Sequence, residues 1–325
     1  MSLDPAVAAV RLAVRRSLLG VGAHPVLVAC SGGADSLALL AATVFEARST
    51  DWHVVGVTVD HGLQPGSPVQ AAHVVEQMAA LGVAETVGVR VEVTASGQGP
   101  EAAAREGRYA VLGEVAERFG SLRVLLGHTL DDQAETVLLG LARGSGGRSL
   151  AGMRRVRHPF FRPLLDLTRA QTEAACRAEG IAWWTDPHND DPRFTRSRVR
   201  HRVLPVLEAE LGPGVAAALA RTADQVAADT QALDEIAHWA WTDLGPVTPA
   251  LETQPQAVLL RVVRLAALDA GSIASELTYA HVLAVSDLVR GPESSVRTKQ
   301  IQLPGHVTAY REGDLLKFRR TAVSG

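Results

Sequence analysis

The string Ser31-Gly32-Gly33-Ala34-Asp35-Ser36 places two glycines, two hydroxyls and one carboxylate in six positions. Between an apolar strand and a helix, such a string aims several backbone N–H groups at one spot, and that spot binds phosphate oxygens. Gly32 and Gly33 permit close approach of the backbone, and Ser31 and Ser36 add hydroxyl donors. Asp35 repels a bare phosphate, so its useful chemistry is to hold Mg²⁺ or to orient a nucleotide. The same residues also suit a plain helix N-cap by Asp35 or Ser36, and a Gly-Gly turn alone leaves both readings open. A second group, Asp131, Asp132 and Glu135, puts acids three apart on one helix face, a complement for ammonium groups or Mg²⁺. Acids in a first turn also complement the helix dipole, at about 0.3 to 1 kcal/mol each. Third, Arg196, Arg198 and Arg200 alternate beside His188 and Asn189, a spacing that can grip phosphates.

The elements that must position these groups alternate between apolar strands and helical patterns. Strands are expected at Val26 to Cys30, His53 to Asp60, Thr86 to Val93 and Arg123 to Gly127. Helices are expected from about Asp35 to Arg48, Pro68 to Leu81, Glu101 to Phe119 and from near Asp131 to Arg143, after an amphipathic N-terminal helix over Ala6 to Leu19. This predicts an α/β fold, an open parallel sheet with helices on both faces. A basic loop, a helix over Thr168 to Glu179 and a short strand over Ile181 to Trp184 follow. Paired Gly and Pro at Gly212-Pro213-Gly214 mark a boundary, giving an N-terminal domain over 1–213 and a smaller, mostly helical C-terminal domain over 214–325. Its last segment, Arg297 to Arg320, alternates like an antiparallel β-hairpin.

At 325 residues the chain can bury a substantial core, which excludes a small stapled scaffold. Cys30 and Cys176 match neither a disulfide framework nor a CxxC motif and read as buried small hydrophobes in a reducing compartment. No apolar run reaches the roughly 18 to 20 residues of a membrane span, so a cytoplasmic location without membrane contact is expected. The net charge of −3 hides a local excess: residues 148 to 202 carry twelve arginines against six acids. That segment is read as a face for a polyanion, against the plainer alternative of a solvated, arginine-rich surface. Trp183 and Trp184 can stack on a base or belong to the core.

Ser-Gly-Gly-x-Asp-Ser after a first strand resembles the pyrophosphate loop of the ATP pyrophosphatase family, with the adenine nucleotide α-hydrolase-like fold. It differs from a Walker A loop, since the chain has no Gly-Lys-Ser/Thr triplet. Further segments resemble the tRNA(Ile)-lysidine synthases: Val59-Asp60-His61-Gly62-Leu63, Ala104-Arg105-Glu106-Gly107-Arg108-Tyr109, Gly127-His128-Thr129-Leu130-Asp131-Asp132-Gln133-Ala134-Glu135-Thr136, Arg162-Pro163-Leu164-Leu165 and Arg196-Ser197-Arg198-Val199-Arg200. The resemblance implies a ligase that adenylates the wobble cytidine of a CAU-anticodon tRNA(Ile) and joins L-lysine to it, using ATP and Mg²⁺. It implies ATP contacts at Ser31 to Ser36, Asp60, His61, Arg105, Gly127 and His128, with Asp35 at the metal. Lysine then falls to Asp131, Asp132 and Glu135, catalysis to Asp35, Asp132 and Glu135, and the tRNA or its intermediate to Arg196, Arg198 and Arg200. Arg105 and Arg108 have a solvated helix face as their alternative, and His128 a buried polar place at the strand end. No protein partner is evident in the sequence, a homodimer is possible, and the C-terminal domain is expected to assist tRNA binding.

Overall fold

The computed structural model describes residues 3–20, 22, 24–60, 62, 66–91, 100–144, 146–292, 296 and 298–321. Val26-Leu27-Val28-Ala29 lacks any polar side chain, the pattern of a strand covered on both faces, and it forms the centre of the main sheet. In chain order the elements there are α1 (Pro5–Ser17), β1 (Val26–Ala29), α2 (Ala34–Ala47), β2 (Val54–Asp60), α3 (Ser67–Ala80), β3 (Glu85–Arg90), α4 (Pro100–Phe119), β4 (Arg123–Leu126), α5 (Leu130–Ala142), α6 (Gly147–Leu150), β5 (Val156–Arg157), β6 (Phe160–Phe161) and α7 (Arg169–Ala178). Among the described residues the strand order is β3-β2-β1-β4-β6-β5, parallel except for the antiparallel β5–β6 pair.

Strand alternation assigns the two faces. Val26 and Val28 of β1, Val54 of β2, Leu125 of β4 and Phe161 of β6 pack with residues of α1, α2, α3 and α7. Their neighbours Leu27, Val55, Val57, Val124, Leu126 and Phe160 pack with Leu112, Val115 and Ala116 of α4. Helices therefore cover both faces, as the near-continuous apolar runs require. The chain leaves β1 toward β2 on one side and returns as β4 on the other, so the crevice between the ends of β1 and β4 is where such a sheet binds ligands.

Ile181 to Trp184 departs from the expected strand. Ile181 and Trp183 pack on the core as an alternating run should, but among the described residues the backbone pairs with no strand. The Trp184 N–H donates to the Gly32 carbonyl (2.9 Å), and the Gln77 amide donates to the Ala182 carbonyl (2.9 Å). The segment lies along the loop that follows β1.

Beyond it come α8 (Thr195–Arg198), one wider turn over Val199–Val203, α9 (Leu204–Leu211), α10 (Val215–Leu244), α11 (Thr248–Glu252), α12 (Gln256–Asp269), α13 (Tyr279–Arg290), β7 (Gln300–Leu303), β8 (Val307–Glu312) and β9 (Leu315–Arg320). The chain divides into compact units over 1–227 and 228–325, a division that falls within α10. The second unit has its own core, with Leu251, Leu259, Val262, Val285 and Leu288 packed against Val307, Ala309 and Leu316. Its antiparallel element carries one strand more than the expected hairpin, in the order β7-β8-β9. The β7–β8 turn needs Gly305, at φ +80°, because a Cβ there would lie 2.6 Å from the Gly271 carbonyl oxygen.

Candidate active site

The loop Ser31 to Ser36 follows β1 and opens α2. Gly32 sits at φ +82°, and a Cβ on it would lie 2.6 Å from Val74 of α3, so no other residue fits. Ser36 ties the loop together: its hydroxyl accepts from the Ser31 N–H (3.1 Å) and donates to the Gly33 carbonyl (2.9 Å). Gly33 is the N-cap of α2 and no side chain caps the helix. Asp35 turns instead to Arg169, whose Nε donates to Oδ2 (3.3 Å), and to the Thr172 hydroxyl. Of the two readings of the loop, side-chain capping by Asp35 or Ser36 does not occur, and the first-turn N–H groups keep the positive end of the dipole for a ligand. Burial raises the pKa of Asp35; Arg169 and Thr172 oppose the rise and the nearby charge of Asp132 adds to it.

Gly127, at the exit of β4, abuts this loop: a Cβ on it would stand 3.1 Å from the Asp35 carbonyl oxygen. The acid-bearing helix α5 is thereby brought beside α2. Asp132 divides its oxygens. Its Oδ2 accepts from the Thr129 N–H (2.9 Å), which is helix capping, while Oδ1 accepts from Arg169 and Arg200, each at 3.2 Å. Burial acts to raise the pKa of Asp132, but Arg169, the Thr129 N–H and Arg196 outweigh it and hold the carboxyl low. Asp131 points elsewhere and accepts the Arg169 backbone N–H (2.7 Å). Glu135 has no exposed side-chain surface; Arg196 Nε binds Oε2 (2.8 Å) and Arg200 Nε binds Oε1 (2.6 Å).

The three alternating arginines separate for a helical reason. Residues four apart share a face, so Arg196 and Arg200 meet Glu135 together. Buried Val199 and Leu204 pack with Ala134 of α5, which fixes that face. Arg198 falls on the other side and donates to the carbonyls of Pro192 (2.7 Å) and Arg193 (2.9 Å). Much of the local basic excess is spent inside the fold, because Arg155 also pairs with Asp166 and Asp224.

A second basic group surrounds Tyr109. Arg162 is buried and donates to the Tyr109 hydroxyl (2.8 Å) and the Arg154 carbonyl (2.7 Å). Arg105, exposed, and Arg108, half-buried, lie over the Tyr109 ring at 5.4 and 5.9 Å. Among the described residues none of these three guanidiniums has a carboxylate partner. Burial lowers the pKa of Arg108, and the charges of Arg105, Arg196 and Arg162 push the same way, against Tyr109. His128 lies within reach of this field: burial first, then Arg108, Arg162 and Arg105, bring its pKa down to about 3 although Asp132 opposes them. Its ring is therefore neutral at physiological pH. A histidine with a lowered folded pKa stabilises the fold above its unfolded value, and that stability is lost as pH falls from about 6.5 toward 3. His128→Gln is expected to flatten the loss of unfolding free energy between pH 7 and 5, measured by urea titration at each pH; an unchanged pH dependence would count against a neutral, buried ring.

Asp60 ends β2 and accepts the Gly62 N–H (2.9 Å), holding the turn after the strand. His61 lies outside the described residues. Both cysteines flank the phosphate loop and are buried: Cys30 Sγ lies 3.6 Å from Ser36 Oγ, and Cys176 donates to the Ala34 carbonyl (3.4 Å). Burial pushes both thiols up, Cys176 to about 12. Arg169 and Thr172 were not among the sequence candidates. Their signal is the capping string Thr168-Arg-Ala-Gln171, which starts a helix with a cation that the helix dipole disfavours; such a residue needs nearby acids.

The chain is similar to known proteins in sequence and in fold. The model of a family described as a PP-loop domain matches residues 9–207. A tRNA(Ile)-lysidine synthase from Salinispora arenicola is 50% identical over 98% of this chain and 96% of its own length. The one from Streptomyces coelicolor is 45% identical over 98% of this chain and its full length. Among solved structures, a U34-tRNA thiolase, NcsA from Methanococcus maripaludis, superposes with a TM-score of 0.56 at 19% identity, over 68% of this chain and 80% of the thiolase, a likeness of fold.

Proposed function

From the membership of this chain in the tRNA(Ile)-lysidine synthases, ATP-dependent ligases of the PP-loop family that act on tRNA(Ile), we propose the reaction it carries out and the residues that serve it. The cytidine O2 at the wobble position of a CAU anticodon attacks the α-phosphorus of ATP, forming a P–O bond and releasing pyrophosphate. The ε-amino group of L-lysine then attacks C2, forming the C–N bond and expelling AMP. The observation that carries this reading is the meeting, at the ends of β1 and β4, of an uncapped Gly-rich helix start with the buried Asp132–Glu135 pair. The first is suited to a polyphosphate and the second to an ammonium group.

Ser31 to Ser36 hold the phosphates through backbone N–H groups and hydroxyls, which stabilise charge developing on the leaving group. Asp60, His61 and Gly127 border the nucleotide. Arg105 and His128 face its phosphates from the second basic group, where buried Arg162 has no carboxylate partner among the described residues. Asp131, Asp132 and Glu135 receive lysine, and one of the latter two takes the proton that its ammonium must lose before attack. Arg196 and Arg200 hold that acid pair and, with Arg198, line the approach of the tRNA or its adenylated intermediate. Asp35 would hold Mg²⁺ together with the nucleotide phosphates, where the ion neutralises charge. A single carboxylate oxygen donor suits Mg²⁺, which keeps water and phosphate ligands, and among the described residues no three His, Cys, Asp or Glu side chains gather into a cage. The unit over 228–325 is assigned to tRNA binding. No single described helix is long and apolar enough to cross a membrane; a cytoplasmic location, where a tRNA substrate would be met, is part of this proposal.

A sulfur-transferring alternative on the same fold is disfavoured by the two buried thiols with raised pKa values, since the thiolate is the reactive form. Incubation with ATP, labelled lysine and unmodified tRNA(Ile) tests the proposal: label should move to the tRNA with release of AMP and pyrophosphate. Pyrophosphate without labelled tRNA would indicate a different acceptor, and no turnover would indicate a nucleotide sensor; either overturns it.

A further inference from the structure

Arg169 opens α7, where a cation faces the positive end of the helix dipole. Three carboxylates from two other elements offset that cost. Its backbone N–H binds Asp131, its Nε binds Asp35 Oδ2 at 3.3 Å and a terminal nitrogen binds Asp132 Oδ1 at 3.2 Å. One guanidinium thus touches both the carboxylate assigned to the nucleotide and a carboxylate assigned to lysine. The surrounding acids Asp132, Asp35, Glu135 and Asp131 raise its pKa against the effect of burial, so it stays charged.

The acid pair as it stands has no oxygen ready for an incoming ammonium. Asp132 Oδ2 caps α5, and Oδ1 is taken by Arg169 and Arg200. Both Glu135 oxygens are held by Arg196 and Arg200. These counter-ions are not equally fixed. Arg200 reaches Glu135 with two nitrogens, at 2.6 and 3.0 Å, and Arg196 is further anchored on the Asp132 carbonyl and the Thr136 hydroxyl. The Arg169 side chain makes only the longer bonds, 3.2 and 3.3 Å, and lies beside the phosphate loop.

We propose that Arg169 is a positioning residue that couples the two substrates: the polyphosphate of a bound nucleotide draws its guanidinium off Asp132, and Oδ1, then held by Arg200 alone, accepts the lysine ammonium. This rests on the lysine assignment made above. It makes nucleotide binding favour lysine binding, and linkage requires lysine to tighten nucleotide binding by the same factor.

Calorimetric titration of lysine into the full chain, with and without α,β-methylene ATP, tests the coupling. In the wild type the analogue should tighten lysine binding by about tenfold or more, a typical coupling. In R169M the factor should fall to about one, with lysine binding without nucleotide as well as it does to the nucleotide-loaded wild type. In steady state R169M should lower kcat while leaving the lysine KM unchanged or reduced. R169K keeps the charge without the planar fork and should show intermediate coupling; it decides the question if R169M does not fold. Absence of coupling in the wild type, or full coupling in a folded Arg169 variant, overturns the proposal. The lysine assignment is read separately from D132N: normal lysine binding to that variant in the presence of the analogue would mean the assignment itself had failed.

Discussion

Asp35→Ala should reduce pyrophosphate release by about a thousandfold, the upper range for loss of one electrostatic group, while the protein stays folded. The stability half of this expectation follows from the sign of the pKa shift. Burial raises the pKa of Asp35 above its ordinary value. A carboxyl so shifted favours the fold while protonated, and that contribution is lost as pH rises through the raised pKa. At neutral pH the ionised group is therefore a burden to the fold, and its removal leaves Arg169 still bound to Asp132 and Asp131. The melting temperature should hold within about 2 °C, no more than the shift of a 1 kcal/mol loss in a chain of this size. A coupled assay for pyrophosphate and a thermal melt check the two halves. Normal turnover by the variant would remove the loop from the chemistry.

Glu135→Ala should be costly on both counts. Its carboxylate is wholly buried and is the shared partner of Arg196 and Arg200. Truncation leaves two guanidiniums facing an apolar gap, and breaking such a pair costs about 3 kcal/mol. The low end of the range applies because those arginines keep 29% and 21% of their side chains in solvent. The melting temperature should fall by about 6 to 12 °C. Glu135→Gln preserves the shape, should fold better, and should still lose about a hundredfold or more in lysine transfer. An unchanged lysine KM and kcat in the Gln variant would show that the acid pair serves the fold alone.

The parts of this site legible in the sequence are those set by local periodicity. The phosphate loop, the strands that carry it and the first turn of α5 each declare themselves within a few residues. Arg169 does not, because its role is defined by carboxylates distant in sequence, and its own context reads only as a capped helix start. The arginines at 196, 198 and 200 show a different limit. Their alternation looks like one set, but a helix turns about 100° per residue, and the structure sends Arg198 to loop carbonyls. Ile181 to Trp184 carries the alternation of a strand because one side meets the core, a pattern that does not require a strand for a neighbour. The third strand of the terminal sheet begins within the segment read as one hairpin and adds only a short, half-polar edge, Gln300–Leu303, in which Leu303 alone is buried, too few apolar positions for periodicity to set it apart.

The bond from the Trp184 N–H to the Gly32 carbonyl bears on how the enzyme is made. A ribosome delivers the six loop residues early, yet the peptide that braces them from behind emerges only after β6 and α7. Pairing across so long a stretch of chain is slow, and a nascent fragment that stops short of Trp184 has the loop's amino acids without its support. Nucleotide binding should accordingly arise late in synthesis, once the first unit is nearly whole.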